Sequence, residues 1–218
     1  MALLKPVEAW MTEKLQPQLP LPDVGPFPTL LQPCSDAGEP LIRVEPIPFI
    51  DAYAELDILE RRFLRVRLGV RERLIAANVT LPDGFSLVLL DGWRSMAEQQ
   101  RLVDYYSDHG DIDGWVSDPS SPVLRPPHTT GGAVDVSLSY NGVPLALGSD
   151  FDEFDVSAHL MYLEQVESPE RELRRLLAAV LSGQGFAPYP FEWWHWSYGD
   201  DMWAAKNALP ALYDVLDG

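Results

Sequence analysis

The run "AVDVSLSY" at residues 133–140 constrains this chain most. Val134, Val136 and Leu138 alternate with Asp135, Ser137 and Ser139, the period-two pattern of a β-strand. Asn141-Gly142 follows, a pair suited to the positive φ angles of a tight hairpin turn, and "VPLAL" supplies a return strand. An antiparallel hairpin is therefore expected here, with Asp135 on the face opposite the valines. By alternation alone Asp135 is equally well a solvent-facing residue.

The flanking segments have other periods. "GFSLVLLDGW" reads as a buried strand ending near Asp91. The "SMAE" after it fits a capping box, with Ser95 as N-cap and Glu98 three positions on, opening a helix to about Tyr106. Arg94 falls at that strand-to-helix junction. From Glu55 to Asn78, Leu56, Leu59, Phe63, Val66, Val70 and Leu74 recur at helical spacing. The arginines between them (61, 62, 65, 67, 71 and 73) are expected on a solvated face paired with carboxylates. Ser168-Pro169 opens another helix, with Leu173, Leu176, Leu177, Val180 and Leu181 on one face and Gly183 as its stop. The aromatic stretch "GFAPYPFEWWHW" has strand propensity. Helices and antiparallel strands in mixed order indicate an α+β class.

Ten of the twenty prolines lie in residues 1–50, which are expected to be extended and irregular. Leu21, Phe27, Leu30, Leu31, Ile47 and Phe49 make this a Pro-rich arm packed on the domain rather than a free leader. The expected organisation is an arm over 1–50 and one domain over 51–218. The loop from Ser107 to Gly132 is long for a compact domain, as functional loops often are.

Composition sets limits. A formal charge of −17 argues against a nucleic-acid partner, because such partners need basic surfaces. No apolar run can span a bilayer. The N-terminal "MALLKPVEAWMTEKL" lacks the uninterrupted apolar core of an export signal, and a single cysteine, Cys34, excludes an internal disulfide. A cytoplasmic location is the default expectation. A homo-oligomer is left open.

Four histidines are present, and two stand in unusual surroundings: His128 in "RPPHTTGGAVD" and His195 in "FEWWHW". Imidazole and carboxylate suit zinc, and a catalytic zinc takes three protein ligands. His128, Asp135 and His195 would supply that set. His128 and Asp135 are seven positions apart, an odd number, so one unbroken strand would point them to opposite faces. The Thr-Thr-Gly-Gly between them lets His128 swing back from a loop. Glu192 and His195, three apart, can share a face only if Glu192 precedes the strand or sits on a bulge. Glu192 could then take a proton from water at the metal. The alternatives are a satisfied core histidine at either position, or a Glu192 paired with an arginine. His109 reads as loop, and His159 as a helix-surface or core residue. Trp193, Trp194 and Trp196 read as core and pocket wall.

"HTTGGAVDVSL" with "FEWWHW" resembles the His-x6-Asp and Glu-x2-His signature of the zinc D-alanyl-D-alanine dipeptidases, the vancomycin-resistance type. That family shares a fold with D,D-carboxypeptidases and the hedgehog signalling domain. "LLDGWRS" and "GSDFDEFD" resemble two further family segments, and the likeness runs from about residue 40 to 200. The resemblance implies a small, mainly antiparallel sheet flanked by helices. It also implies one zinc ion per chain on His128, Asp135 and His195, with Glu192 as catalytic base. Arg94 would stabilise the developing oxyanion, Asp152 would lie near the substrate's free amine, and Trp194 would form part of the substrate pocket. One position departs: the family has serine two residues before the first histidine, where this chain has Pro126.

A small D,D-dipeptide such as D-alanyl-D-alanine is the leading substrate on this reading. Alternatives are a peptidoglycan D,D-carboxypeptidase or endopeptidase and a non-catalytic zinc-binding module of the same fold. A ferrous dioxygenase with a two-histidine, one-carboxylate triad is a further one, but it leaves Glu192 without a task.

Overall fold

The computed structural model describes residues 3–13, 15, 19–20, 22–108 and 116–216; Leu21 and His109 lie outside them. Along the chain come β1 (Leu41–Arg43), α1 (Ala52–Glu55), β2 (Arg65–Arg67), α2 (Leu68–Asn78), β3 (Phe85–Asp91) and α3 (Met96–Ser107). They are followed by β4 (Ala133–Tyr140), β5 (Val143–Pro144), α4 (Pro169–Ser182), β6 (Ala187–Pro188), β7 (His195–Ser197) and α5 (Asp201–Asn207). The fold is α+β. Its main sheet is antiparallel, in the order β3-β4-β7-β6, with β5 paired to β4; β1 and β2 form a separate two-stranded ribbon.

The hairpin forms as its residues require. Asn141 and Gly142 both take positive φ, 48° and 80°, between β4 and β5. Val134, Val136 and Leu138 are fully buried in the core, and α4 packs on β4 and on α2. The opposite face of β4 is covered as well. Ser137 donates to the Leu145 carbonyl at 2.6 Å, and Ser139 meets Ser86 at 2.7 Å, so the polar side of the alternation is buried and hydrogen-bonded. The capping box at Ser95 and Glu98 is complete. Ser168 caps α4, which ends at Gly183.

The helix expected over residues 55–78 is divided. α1 stops after one turn, the chain turns through Asp57 at φ 57°, and residues 65–67 form β2 against β1. Only 68–78 are helical. Leu59, Val66, Val70 and Leu74 of the apolar series are buried from different elements, Leu56 stays exposed, and strand pairing overrode the local period. The arginines follow. Arg61 lies between the carboxylates of Asp51 and Asp91, at 2.6 and 2.7 Å. Arg67 is buried and donates to the carbonyls of Thr130, Glu39 and Asp214 at 2.8, 2.7 and 3.0 Å. These two tie parts of the fold together instead of facing solvent.

Arg67 therefore holds the turn that carries His128. Arg67→Ala would leave three carbonyls without their donor, and we expect a stability loss on the order of 3 kcal/mol. Urea unfolding monitored by circular dichroism checks this. An unchanged midpoint would show that the three contacts are not structural.

Segments of the N-terminal 50 residues contact the domain. Leu4 is buried, and the Lys5 backbone bonds to Pro144 and Ala146 at 2.9 and 2.7 Å. Pro48 and Ile50 bond to Leu89 of β3. Ile47 is buried, while Phe27, Leu30 and Leu31 keep 43%, 71% and 47% of their surface exposed. Among the described residues no helix is long and apolar enough to cross a membrane.

Candidate active site

Three strand ends meet at the site. Asp135 of β4 pairs with His195 of β7 on one side and with Asp91 of β3 on the other. Directly opposed residues of an antiparallel pair point to the same face, so Asp135 and His195 converge. Between Leu89 and Asp91 the β3–β4 register shifts, a bulge that re-aims Asp91 towards the same end of the sheet.

His128 arrives from outside the sheet. It sits in a 3-10 turn, Pro127–Thr130, closed by Gly131 at φ 73°. A side chain at Gly131 would be strained by that φ and would meet Leu41 Cδ2 at 2.8 Å. The turn reverses the chain, so the odd spacing to Asp135 does no harm. Glu192 lies in the turn just before β7, and its Oε2 is 3.9 Å from His195 Nδ1. Both polar residues of "FEWWHW" thus face one place.

The donor atoms of His128, Asp135 and His195 all lie within 4.8 Å of one another. His128 Nε2 is 3.2 Å from His195 Nδ1, and Asp135 Oδ1 is 3.4 and 3.1 Å from the same two atoms. The outer nitrogens have other partners. His128 Nδ1 donates to the Gly92 carbonyl at 2.8 Å, and His195 Nε2 faces Ser197 Oγ at 3.5 Å. With protons on those outer nitrogens, the inner ones present lone pairs to each other and to a carboxylate oxygen. Such a set repels itself unless a cation lies between its members. The residues fit a divalent metal such as zinc.

Electrostatics agree with that fit. Burial works to raise the Asp135 carboxyl, but charge and hydrogen bonding from His128 and His195 overcome it and hold it well below the usual range. Burial lowers the His195 imidazole against the pull of Asp135. An ionised carboxylate and a neutral imidazole are the forms that bind metal. Burial, then the nearby Asp135 and Asp152, push Glu192 well above the ordinary carboxylate value, with Arg94 acting the other way. Asp152 is raised to about 6, chiefly by burial. Three buried acids in one place need positive charge, which a divalent cation supplies.

Arg94 is buried and held on every side. Nε donates to Asp91 at 2.6 Å, Nη1 to Gln99 at 3.0 Å and Nη2 to Tyr53 at 3.1 Å. The same Nη2 stands 3.6 Å from Asp135 Oδ2. The ion pair with Asp91 is formed, and the guanidinium still lines the cavity. Glu98 accepts from the Ser95 amide and completes the cap of α3.

A cavity of about 300 Å³ opens over these groups. Arg94, His128, Asp135, Asp152, Glu192 and His195 all line it. Asp152, at φ 54°, accepts from the Tyr106 hydroxyl at 2.6 Å. Trp194 does not line it: its ring is 1% exposed and packs on Phe151 in the core, at a centroid distance of 5.5 Å. With Trp193 and Trp196 it forms the floor beneath the strand ends, so the aromatic cluster acts as support rather than as pocket wall. His159 is half-buried against Phe191, away from the cluster.

Several cavity residues had no sequence signal. Tyr53, Tyr106 and Tyr189 come from a one-turn helix, a helix end and a loop, brought together only by folding. Asp91 was visible as the strand-end acid of "LLDGW", and its contacts with Arg61, Arg94 and His128 make it the centre of the support.

A D-alanyl-D-alanine dipeptidase of Synechocystis is 29% identical over 81% of this chain and 89% of its own length. The enzyme of that name from Enterococcus faecalis is 27% identical over 62% of this chain and 72% of its own. Among solved structures, the LdcB LD-carboxypeptidase aligns at a TM-score of 0.44 and 16% identity, covering 81% of this chain and 77% of that one. The sequence model described as D-ala-D-ala dipeptidase matches residues 61–210, the stretch that carries His128, Asp135, Glu192 and His195, and the chain therefore belongs to that family of metallopeptidases.

Proposed function

We propose that this protein is a zinc-dependent dipeptidase that hydrolyses D-alanyl-D-alanine or a closely related small D,D-dipeptide. The observation that carries the reading is the position of Glu192, 3.9 Å from His195 and beside a buried His-Asp-His set. A base next to a three-ligand site is the arrangement that hydrolysis needs and that a purely structural metal does not. The relatives' names supply the substrate class.

One zinc per chain would be held by His128 Nε2, Asp135 and His195 Nδ1, and when bound it supplies Lewis acidity at the scissile carbonyl. Glu192 accepts a proton from the water that attacks the carbonyl carbon. As the C–N bond breaks, Glu192 returns that proton to the leaving amine. Arg94 meets the charge that develops on the carbonyl oxygen. Its three anchored nitrogens fix the guanidinium beforehand, so little reorganisation is needed. Asp152 receives the substrate's ammonium group, with the Tyr106 hydroxyl steadying the carboxylate. Pro126 has no hydroxyl to offer where the family has serine, and its carbonyl is already bonded to Thr129.

The cavity's size favours a dipeptide over a peptidoglycan stem, because about 300 Å³ lies at the low end for ligand pockets. The test is a panel of L,L, L,D and D,D dipeptides together with a stem pentapeptide, each with and without chelator. Hydrolysis confined to D,D-dipeptides and abolished by chelation is expected. Comparable rates on L,L substrates would overturn the specificity, and preference for the pentapeptide would favour a carboxypeptidase.

A further inference from the structure

The family match begins at residue 61, yet two lining residues of the catalytic cavity precede it, Tyr53 closely and Phe27 by a long way. Phe27, in the Pro-rich arm, stands against Tyr189 at a ring-centroid distance of 5.7 Å. Tyr189 in turn stands against His195 at 5.6 Å. Phe27 is therefore two rings from the metal set. Asp152 makes its contacts within a different group of lining residues, with Tyr106 and Tyr53 beside Arg94.

The arm is held to the rest of the fold on both sides of Phe27. On one side Lys206 of α5 pairs with Asp23 at 3.0 Å and also donates to the Asp23 carbonyl. Gly25, at φ 63°, lies so close to Lys206 that a Cβ there would stand 2.7 Å from its Cγ. On the other side the Gln32 carbonyl accepts from Arg125 at 3.2 Å. The Pro33 carbonyl accepts from Ala211 at 2.7 Å, and the Ser35 amide returns a bond to Ala211 at 2.9 Å. Between the anchors runs Pro26-Phe27-Pro28. The flanking prolines restrict the backbone around Phe27, so presenting the ring costs little further entropy. A residue held this firmly keeps 43% of its surface exposed, which core packing does not explain.

We propose that Phe27 is a specificity-determining residue: with Tyr189 it closes the cavity beyond the substrate's carboxyl end and restricts the enzyme to dipeptides. This deepens the dipeptidase reading and rests on it, since it takes Asp152, grouped with Tyr106 and not with Phe27, as the site of the amine. A third residue added at the carboxyl end would run into the Phe27 ring. One added at the amino end would meet Asp152 instead.

The test compares wild type, Phe27→Ala and Phe27→Tyr as zinc-loaded full-length protein. Substrates are D-alanyl-D-alanine and the same dipeptide extended by one D-alanine at either end. Phe27→Ala should raise the ratio of kcat/KM for the carboxyl-extended peptide over the dipeptide by about tenfold or more, the scale at which pocket walls discriminate. Phe27→Tyr, which keeps the wall, should leave the ratio as in wild type, and the amino-extended peptide should gain in neither variant. An unchanged ratio in Phe27→Ala with the dipeptide still cleaved would overturn the inference, as would a gain confined to the amino-extended peptide. Wild-type protein inert on every D,D-dipeptide would instead bring down the dipeptidase reading, and this inference with it.

Discussion

Glu192→Gln is expected to bind zinc as the unaltered protein does and to lose about 10²–10⁴-fold in kcat, the usual contribution of a positioned general base. The amide keeps the size and most of the hydrogen bonding of the side chain but cannot accept a proton. The three donors of the proposed metal site belong to other residues, so the metal content should not change. Removing a buried acid whose neighbours are also acids relieves repulsion, so the variant should be no less stable than the parent. Zinc content by atomic absorption, kcat on D-alanyl-D-alanine and the thermal midpoint together make the check. A variant with full zinc and full activity would remove Glu192 from the base role.

His195→Ala should fail in a different way. It takes away one of the three residues proposed to hold the metal and opens a gap beside Tyr189. Removing a residue that only hydrogen-bonds a metal ligand already costs about 10–100-fold in affinity, so loss of a ligand should exceed that. The variant should lose activity because it loses zinc, and high zinc concentration should restore part of it. Equilibrium dialysis against zinc provides the measurement. Undiminished zinc binding would remove His195 from the ligand set. The contrast between the two variants matters more than either alone, since they differ only in whether metal is retained.

Much of the site was legible because its residues sit at places where local sequence controls geometry. Gly131 and Gly132 had to break the strand for His128 to reach Asp135, and they do so through a left-handed glycine. Glu192 had to precede the strand proper, and it does. The capping box placed Arg94 at the junction of β3 and α3. Residues 55–78 were less legible. Their apolar period is helical throughout, but β1 supplied backbone partners to residues 65–67, and no local signal can report a partner strand that lies 22 to 26 positions upstream. Trp194 shows the same limit at a single residue. All three tryptophans are buried and none lines the cavity, and what Trp194 packs on, here Phe151, is supplied by a distant part of the chain.

The amino-acid sequence by itself determined the α+β class, the β4–β5 hairpin, the caps of α3 and α4, and the identity of the residues gathered at the site. Period, turn chemistry and capping act within a few positions, and a short stretch of chain contains all the information they use. Tertiary structure alone decided that Asp91 would orient both Arg94 and His128, and that Arg61 and Arg67 would be buried ties. It also decided that Phe27 would reach the cavity from an arm far upstream. Each of these depends on atoms many residues apart meeting at a few ångströms. Such meetings are fixed by the burial of the whole core, to which every segment contributes and which no segment specifies alone.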